Sequence, residues 1–198
     1  SRPGAFYANL YDIKQTPTYS MRTLAFHEAI PGHHLQVALN LENQDLTLYR
    51  RFGYGTSAFS EGWALYSERL ALEAGLAEDP YDELGVLQSE LFRAVRLVVD
   101  TGMHFKRWTR EEAITYMKAI TGMSDTEVRV EIERYIVWPG QACSYKMGML
   151  KILELRDKAK EELGENFDIK DFHSIVLEQG QPPLFIVEEL VNEMIAKK

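Results

Sequence analysis

The stretch His27-Glu28-Ala29-Ile30-Pro31-Gly32-His33-His34 carries three of the chain's five histidines beside one carboxylate. The ordinary zinc-binding form of such a stretch is His-Glu-x-x-His. On one helix it puts two imidazoles a turn apart on the metal and sets the glutamate to act on water. Four residues after His27 stands Pro31, which cannot bind metal. Either the helix breaks so that a later histidine takes the second place, or the pattern is a coincidence.

Helix geometry sharpens the choice. Each residue of an unbroken helix turns about 100° and rises about 1.5 Å. His33 would then lie roughly 120° round from His27, and His34 roughly 10 Å along the axis. Zinc–nitrogen bonds of about 2.0–2.1 Å demand ligating nitrogens within about 3–3.5 Å of each other, so neither pair fits a straight helix. Pro31 lacks the N–H that would bond the His27 carbonyl. It also pushes Ile30 out of helical geometry, and Gly32 can take the backbone angle that results. A two-residue bulge at Pro31-Gly32 would bring His33 to the second ligand position. His34 would then support a ligand from outside or meet substrate, and on geometry alone the two roles can be exchanged.

A third ligand is expected from Glu61, within Phe59-Ser60-Glu61-Gly62-Trp63-Ala64-Leu65-Tyr66. This segment reads as helix, and Gly62 leaves room for another backbone. Two imidazoles and one carboxylate leave a fourth position open, the pattern of a catalytic zinc. Glu28 stands beside the first ligand, placed to take a proton from water there. The plain alternative is a helix surface with two histidines, Glu61 being one of thirty acidic residues.

Composition sets the class. The chain has 198 residues, 45% hydrophobic and 26% charged, as in ordinary globular proteins. A formal net charge of −8 argues against nucleic acid or an anionic membrane surface as partner. Cys143 stands alone, so no internal disulfide forms. With no histidine in a recognisable pattern nearby, it is expected to pack as a small core residue. No apolar run reaches the roughly 18 residues of a membrane span. The chain opens Ser1-Arg2-Pro3-Gly4 with no signal peptide in view. It is expected to be the C-terminal, site-bearing part of a longer protein, residues 1–198 forming one helical catalytic domain that contacts a missing N-terminal part. The compartment stays open between cytoplasm and bacterial periplasm or exterior.

Along the chain, residues 5–11 are aromatic-rich and predict a short strand. A helix is expected from Ser20 through the His-Glu pair, resuming after Gly32. Residues 43–56 read as loop, followed by a helix from Ser57 to Ala74. Asp79 caps a helix with Pro80 in its first position, running to about Gly102. Thr109–Glu112 and Ser124–Glu127 are capping boxes that open helices 109–121 and 124–137. Further helices are expected at 141–163, 168–179 and from Pro183 to about Ala196. The fold predicted is mainly α, a compact multi-helix unit with at most one short strand near the N-terminus.

The residues from His27 to Gln36 resemble the signature of a mostly bacterial family of zinc peptidases, long catalogued as a domain of unknown function. Similar stretches are Ser60-Glu61-Gly62-Trp63-Ala64, Val99-Asp100-Thr101-Gly102-Met103-His104, and Arg134-Tyr135 with Pro139-Gly140-Gln141-Ala142 and Tyr145-Lys146-x-Gly148. The resemblance implies a longer parent chain and a kinship with gluzincins, whose third zinc ligand is a glutamate on a following helix. It implies His33 rather than His34 as second ligand.

On this reading His27, His33 and Glu61 bind Zn²⁺, and Glu28 is general base and then acid. Tyr145 and His104 steady the developing oxyanion. Asp100 orients an imidazole, with His34 as a further supporting residue, and Arg134 holds a substrate carboxylate. The expected activity is hydrolysis of peptide bonds, of oligopeptidase or carboxypeptidase type, with a peptide as partner. The rivals are a zinc hydrolase of non-peptide amides or esters, and a non-catalytic helical binding module with an empty site. His173 reads as an ordinary surface histidine.

Overall fold

A computed structural model of the chain describes residues 5, 7, 17–53 and 55–198. Ten α-helices follow one another among these: α1 (Tyr19–Glu28), α2 (His33–Glu42), α3 (Leu48–Phe52), α4 (Ser57–Glu73), α5 (Pro80–His104), α6 (Arg110–Thr121), α7 (Asp125–Val137), α8 (Ser144–Leu163), α9 (Ile169–Leu177) and α10 (Leu184–Lys197). The architecture is all-α. The strand expected at 5–11 falls outside the described residues except at Ala5 and Tyr7, which carry no regular structure.

Side-chain caps account for half of the ten helix starts, α3, α5, α6, α7 and α9. Asp79 accepts from the N–H groups of Tyr81 and Asp82, with Pro80 in the first position of α5. Thr109 with Glu112, and Ser124 with Glu127, close complete capping boxes at α6 and α7. Asp168 accepts from Lys170 N at 2.7 Å at the start of α9.

Three boundaries differ from expectation. The loop expected at 43–56 contains α3, capped by Thr47 and too short for any periodicity to reveal it. Gly102 does not end α5; the helix runs on to His104. A Cβ at Gly102 would stand 2.5 Å from the Trp108 ring, so this glycine makes room for an indole rather than stopping a helix. The helix expected from residue 141 begins as a 3₁₀ turn, Gln141–Cys143, before α8 takes over.

α4 and α8 are the central pair. They meet backbone to backbone: a Cβ on Gly62 would lie 2.5 Å from Gly148 Cα, and one on Gly148 would lie 1.9 Å from the Ala58 carbonyl. Around this crossing α9 and α10 close one apolar cluster, which includes Phe59, Trp63, Tyr66, Tyr145, Met149 and Phe172. A second cluster joins α5, α6 and α7 through Val95, Val99, Met117, Ile132 and Tyr135. Arg96, 0% exposed, bridges the two. Its guanidinium lies over Tyr135 of one cluster and Tyr145 of the other, 5.1 and 4.3 Å from the ring centroids. α1 packs against α4 and α5, α2 packs against α4, and together they carry the histidines to the central pair.

Candidate metal centre

The motif of α1 and α2 is not one bulged helix but two helices. α1 ends at Glu28, and α2 starts at His33 after a four-residue break, Ala29–Gly32. The last bond of α1 runs from Ala29 N to Ala25 O at 2.8 Å, and α2 opens with Gln36 N to Gly32 O at 3.1 Å. Ile30-Pro31 is a cis peptide. The Pro31 carbonyl accepts from Trp63 Nε1 at 2.9 Å and from Ser67 Oγ at 3.2 Å, so two α4 side chains hold the break in place. Gly32 serves by lacking a side chain rather than by an unusual φ. Its φ is −75°, but a Cβ there would sit 1.9 Å from the His27 carbonyl.

This break brings His27, His33 and Glu61 together, with one ligand atom of each within 4.8 Å of the others. Glu61 Oε2 is 3.6 Å from His27 Nε2 and 3.2 Å from His33 Nε2. The two imidazoles stand edge to face at 86°, with ring centroids 4.9 Å apart. Of the two histidines that follow Pro31-Gly32, His33 turns toward Glu61, and His34 is exposed. Glu28, the last residue of α1, is exposed beside His27.

Behind His27 stands a residue that no motif singled out. Buried Glu68 lies 2.6 Å from His27 Nδ1 through Oε1. An ionised carboxylate only accepts, so Nδ1–H donates to it and Nε2 keeps its lone pair toward Glu61 and His33. This carboxylate–histidine pairing fixes the tautomer that a metal needs. Burial works against charge on Glu61, but the imidazoles of His27 and His33, together with the Tyr145 hydroxyl, outweigh it. They hold its carboxyl well below the usual carboxylate range. Burial likewise opposes protonation of His27, and the carboxylates of Glu61 and Glu68 on its two edges overcome it and raise its pKa.

Tyr145 belongs to the centre. It is buried, engages Glu61, and stacks near-parallel on His27 at 6.1 Å. His104 does not join it: its Nε2 donates to the Tyr135 carbonyl at 2.9 Å, covering one of the unpaired carbonyls at the end of α7. Asp100 does not orient an imidazole; both its oxygens accept from Gly140 N–H, at 3.2 and 3.0 Å. Arg134 is exposed on α7 and faces Glu131 at 3.6 Å, a surface pair one helical turn apart. Cys143 is half-buried, its thiol pushed up to about 11 by burial and the nearby Asp100.

His173 is not an ordinary surface histidine. It is half-buried between Trp63 and Tyr66, with Tyr66 Oη 2.8 Å from its Nε2. Burial and the neighbouring Arg156 push its pKa down to about 4.

Comparison with known proteins adds a family and two relatives. Residues 1–191 match the model of a family described as "Bacterial protein of unknown function (DUF885)". A crystal structure of a "putative lipoprotein" from Colwellia psychrerythraea is similar over 96% of the chain, at 54% identity and a TM-score of 0.92. A "putative lipoprotein of unknown function" from Shewanella oneidensis is similar over 88% of it, at 30% identity and a TM-score of 0.82. The chain spans 32% of each of these two proteins. No curated protein is matched.

Proposed function

The chain belongs to the DUF885 family of bacterial proteins, and from the geometry of its histidines and carboxylates we propose that it is a zinc-dependent peptidase domain of gluzincin type. One observation carries this reading. Two imidazoles and a carboxylate converge from three helices, and the first imidazole is oriented from behind by a buried carboxylate. Surface histidines have no use for such support, whereas metal-binding ones nearly always have it. The donor set of two nitrogens and one oxygen suits zinc in a catalytic role.

A bound zinc would polarise a substrate carbonyl and make water acidic enough to act near neutral pH. The chain's own residues do the rest. His27, His33 and Glu61 would hold the ion. Glu28, exposed beside them, takes a proton from the attacking water as the C–O bond forms. As the C–N bond breaks, it returns that proton to the leaving nitrogen. Tyr145, at the edge of the centre, donates its hydroxyl to the carbonyl oxygen as negative charge grows there. The likeness to two proteins described as lipoproteins supports a place in the cell envelope, outside the cytoplasm. Among the described residues no helix is long and apolar enough to cross a membrane.

The test is the pair wild type and Glu28→Gln, purified with zinc present and measured for bound metal and for hydrolysis of a peptide mixture. Glu28→Gln should hold as much zinc as the parent and lose hydrolysis by about 10²–10⁴-fold. A fully active Glu28→Gln protein, or a parent that holds no zinc, would overturn the reading.

A further inference from the structure

Beside His27 the fold leaves a pocket of about 510 Å³, with Glu68, Arg93, Leu24, Phe92 and Met123 among its walls. Neither His33 nor Glu61 lines it, so it is a chamber that adjoins the candidate centre through the His27–Glu68 pair. Its walls combine an apolar patch of Leu24, Phe92 and Met123 with hydroxyl and amide side chains, two carboxylates and one guanidinium.

That guanidinium has no partner. Among the described residues no carboxylate comes within ion-pair distance of Arg93 and no group accepts a hydrogen bond from it; its Nε is sealed from water and bare. The acidic residues of the pocket make their contacts elsewhere. Glu68 Oε1 is bound to His27, its Oε2 being buried without a partner, and Glu127 closes the capping box of α7 with Ser124. The rest of the guanidinium is free of hydrogen-bond partners among the described residues, so an anion entering the pocket can take the place of water on its terminal nitrogens. The group is also held ready. It lies over the Tyr145 ring at 4.1 Å and the Phe92 ring at 4.9 Å, and cation–π contacts of this kind fix its plane. Tyr145 in turn stacks on His27, so Arg93 and the first ligand flank one ring.

We propose that this pocket receives the C-terminal residue of a peptide. Arg93 grips the terminal carboxylate, and Leu24, Phe92 and Met123 receive an apolar side chain. The inference rests on the peptidase reading and deepens it to a carboxypeptidase. A carboxylate suits the planar fork of arginine through two parallel hydrogen bonds. A phosphate is the poorer fit, because its second charge would face the carboxylates of Glu68 and Glu127. A peptide brings a carboxylate from two sources, its terminus or an acidic side chain, and apolar walls favour the terminus.

Binding separates this inference from the peptidase reading. Three probes are titrated by calorimetry into the zinc-loaded Glu28→Gln protein, expressed from its complete reading frame. They are N-acetyl-leucyl-phenylalanine, its C-terminal amide, and N-acetyl-leucyl-glutamate amide. The free acid should bind about tenfold or more tightly than either amide, as expected for a charge-assisted bidentate contact. Arg93→Met should remove that preference, and Arg93→Lys should restore part of it. Equal binding of acid and amide overturns the proposal without recourse to any variant. So does a preference that survives in Arg93→Met, or one led by the glutamate amide. An acid preference that depends on Arg93, in a protein whose wild type hydrolyses nothing, would keep the carboxylate site and remove the peptidase reading instead.

Discussion

Glu68 is the residue on which metal affinity should depend most without itself touching the metal. It is 2% exposed, and its Oε1 holds His27 Nδ1 at 2.6 Å. Removing such a partner frees the imidazole to rotate and to exchange tautomers, which typically costs 10- to 100-fold in affinity, roughly. Glu68→Ala should therefore weaken zinc binding by about that factor in a chelator competition. Glu68→Gln, which can still accept from Nδ1–H, should lose less, and equal affinity in all three proteins would show that Glu68 only fills space. At this scale the sequence was partly legible. The octapeptide and Glu61 stood out because short motifs carry them. Glu68 carried one signal, its place seven residues after Glu61. That is two helical turns less about 20°, so both point the same way from α4. Among thirty acidic residues such a spacing is common. Asp100 and His104 sit in motif-like segments, but their partners are the Gly140 N–H and the Tyr135 carbonyl, more than thirty residues away. Only the folded chain reveals that.

Elements position the centre through one crossing and one break. The α4–α8 crossing needs glycine on both helices, since each missing Cβ is replaced by the other helix's backbone. Gly62→Ala would put a methyl 2.5 Å from Gly148 Cα, and backbone cannot rotate away as a flexible side chain can. The helices must separate, at a cost of about 1–3 kcal/mol as in other overpacked cores. Glu61 is the next residue and would move with the helix. Gly62→Ala should thus lower both the denaturation midpoint and zinc affinity, measured on one preparation. A variant that loses neither would mean the crossing has slack. The pairing itself was half legible: Gly62 announced that some backbone approaches, but nothing near it in the sequence names Gly148 as the partner. Capping chemistry is local, so Asp79, Thr109, Ser124 and Asp168 marked the starts of α5, α6, α7 and α9. Glycine is ambiguous by nature. Gly122 ends α6 in a left-handed conformation, as a stop should, while Gly102 lies inside α5 under an indole. Proline at 31 predicts a bulge in a helical run. The structure ends one helix and begins another because Trp63 and Ser67 satisfy the Pro31 carbonyl that a continuous helix would have used.

Across the whole molecule, α4, α8 and α9 are tied by a chain of polar contacts running beneath the candidate centre. Arg156 donates to Glu73 at 2.7 Å and to Tyr66 Oη at 3.2 Å, and Tyr66 Oη lies 2.8 Å from His173 Nε2. This setting favours a neutral His173, since a protonated ring would be a half-buried second cation near Arg156. The fold accordingly pushes His173 down to about 4 from its ordinary 6.5, first by burial and then through Arg156. Between these two values the unfolded chain binds the proton that the folded one refuses. Stability is therefore full above about pH 6.5 and is lost as the pH falls toward 4. The loss should be about 2 kcal/mol, because the part of the ring left facing water screens some of the penalty. Glu73, held low by Arg156, contributes in a more acidic window, below the usual carboxylate range, so the two effects separate along the pH axis. The check is urea denaturation at a series of pH values, in chelator so that metal binding does not enter. Wild type and His173→Gln should both be measured. The wild-type curve should fall between pH 6.5 and 4.5, and the variant's should stay nearly flat there. Parallel curves would mean that His173 takes up its proton in the folded protein as readily as in the unfolded one.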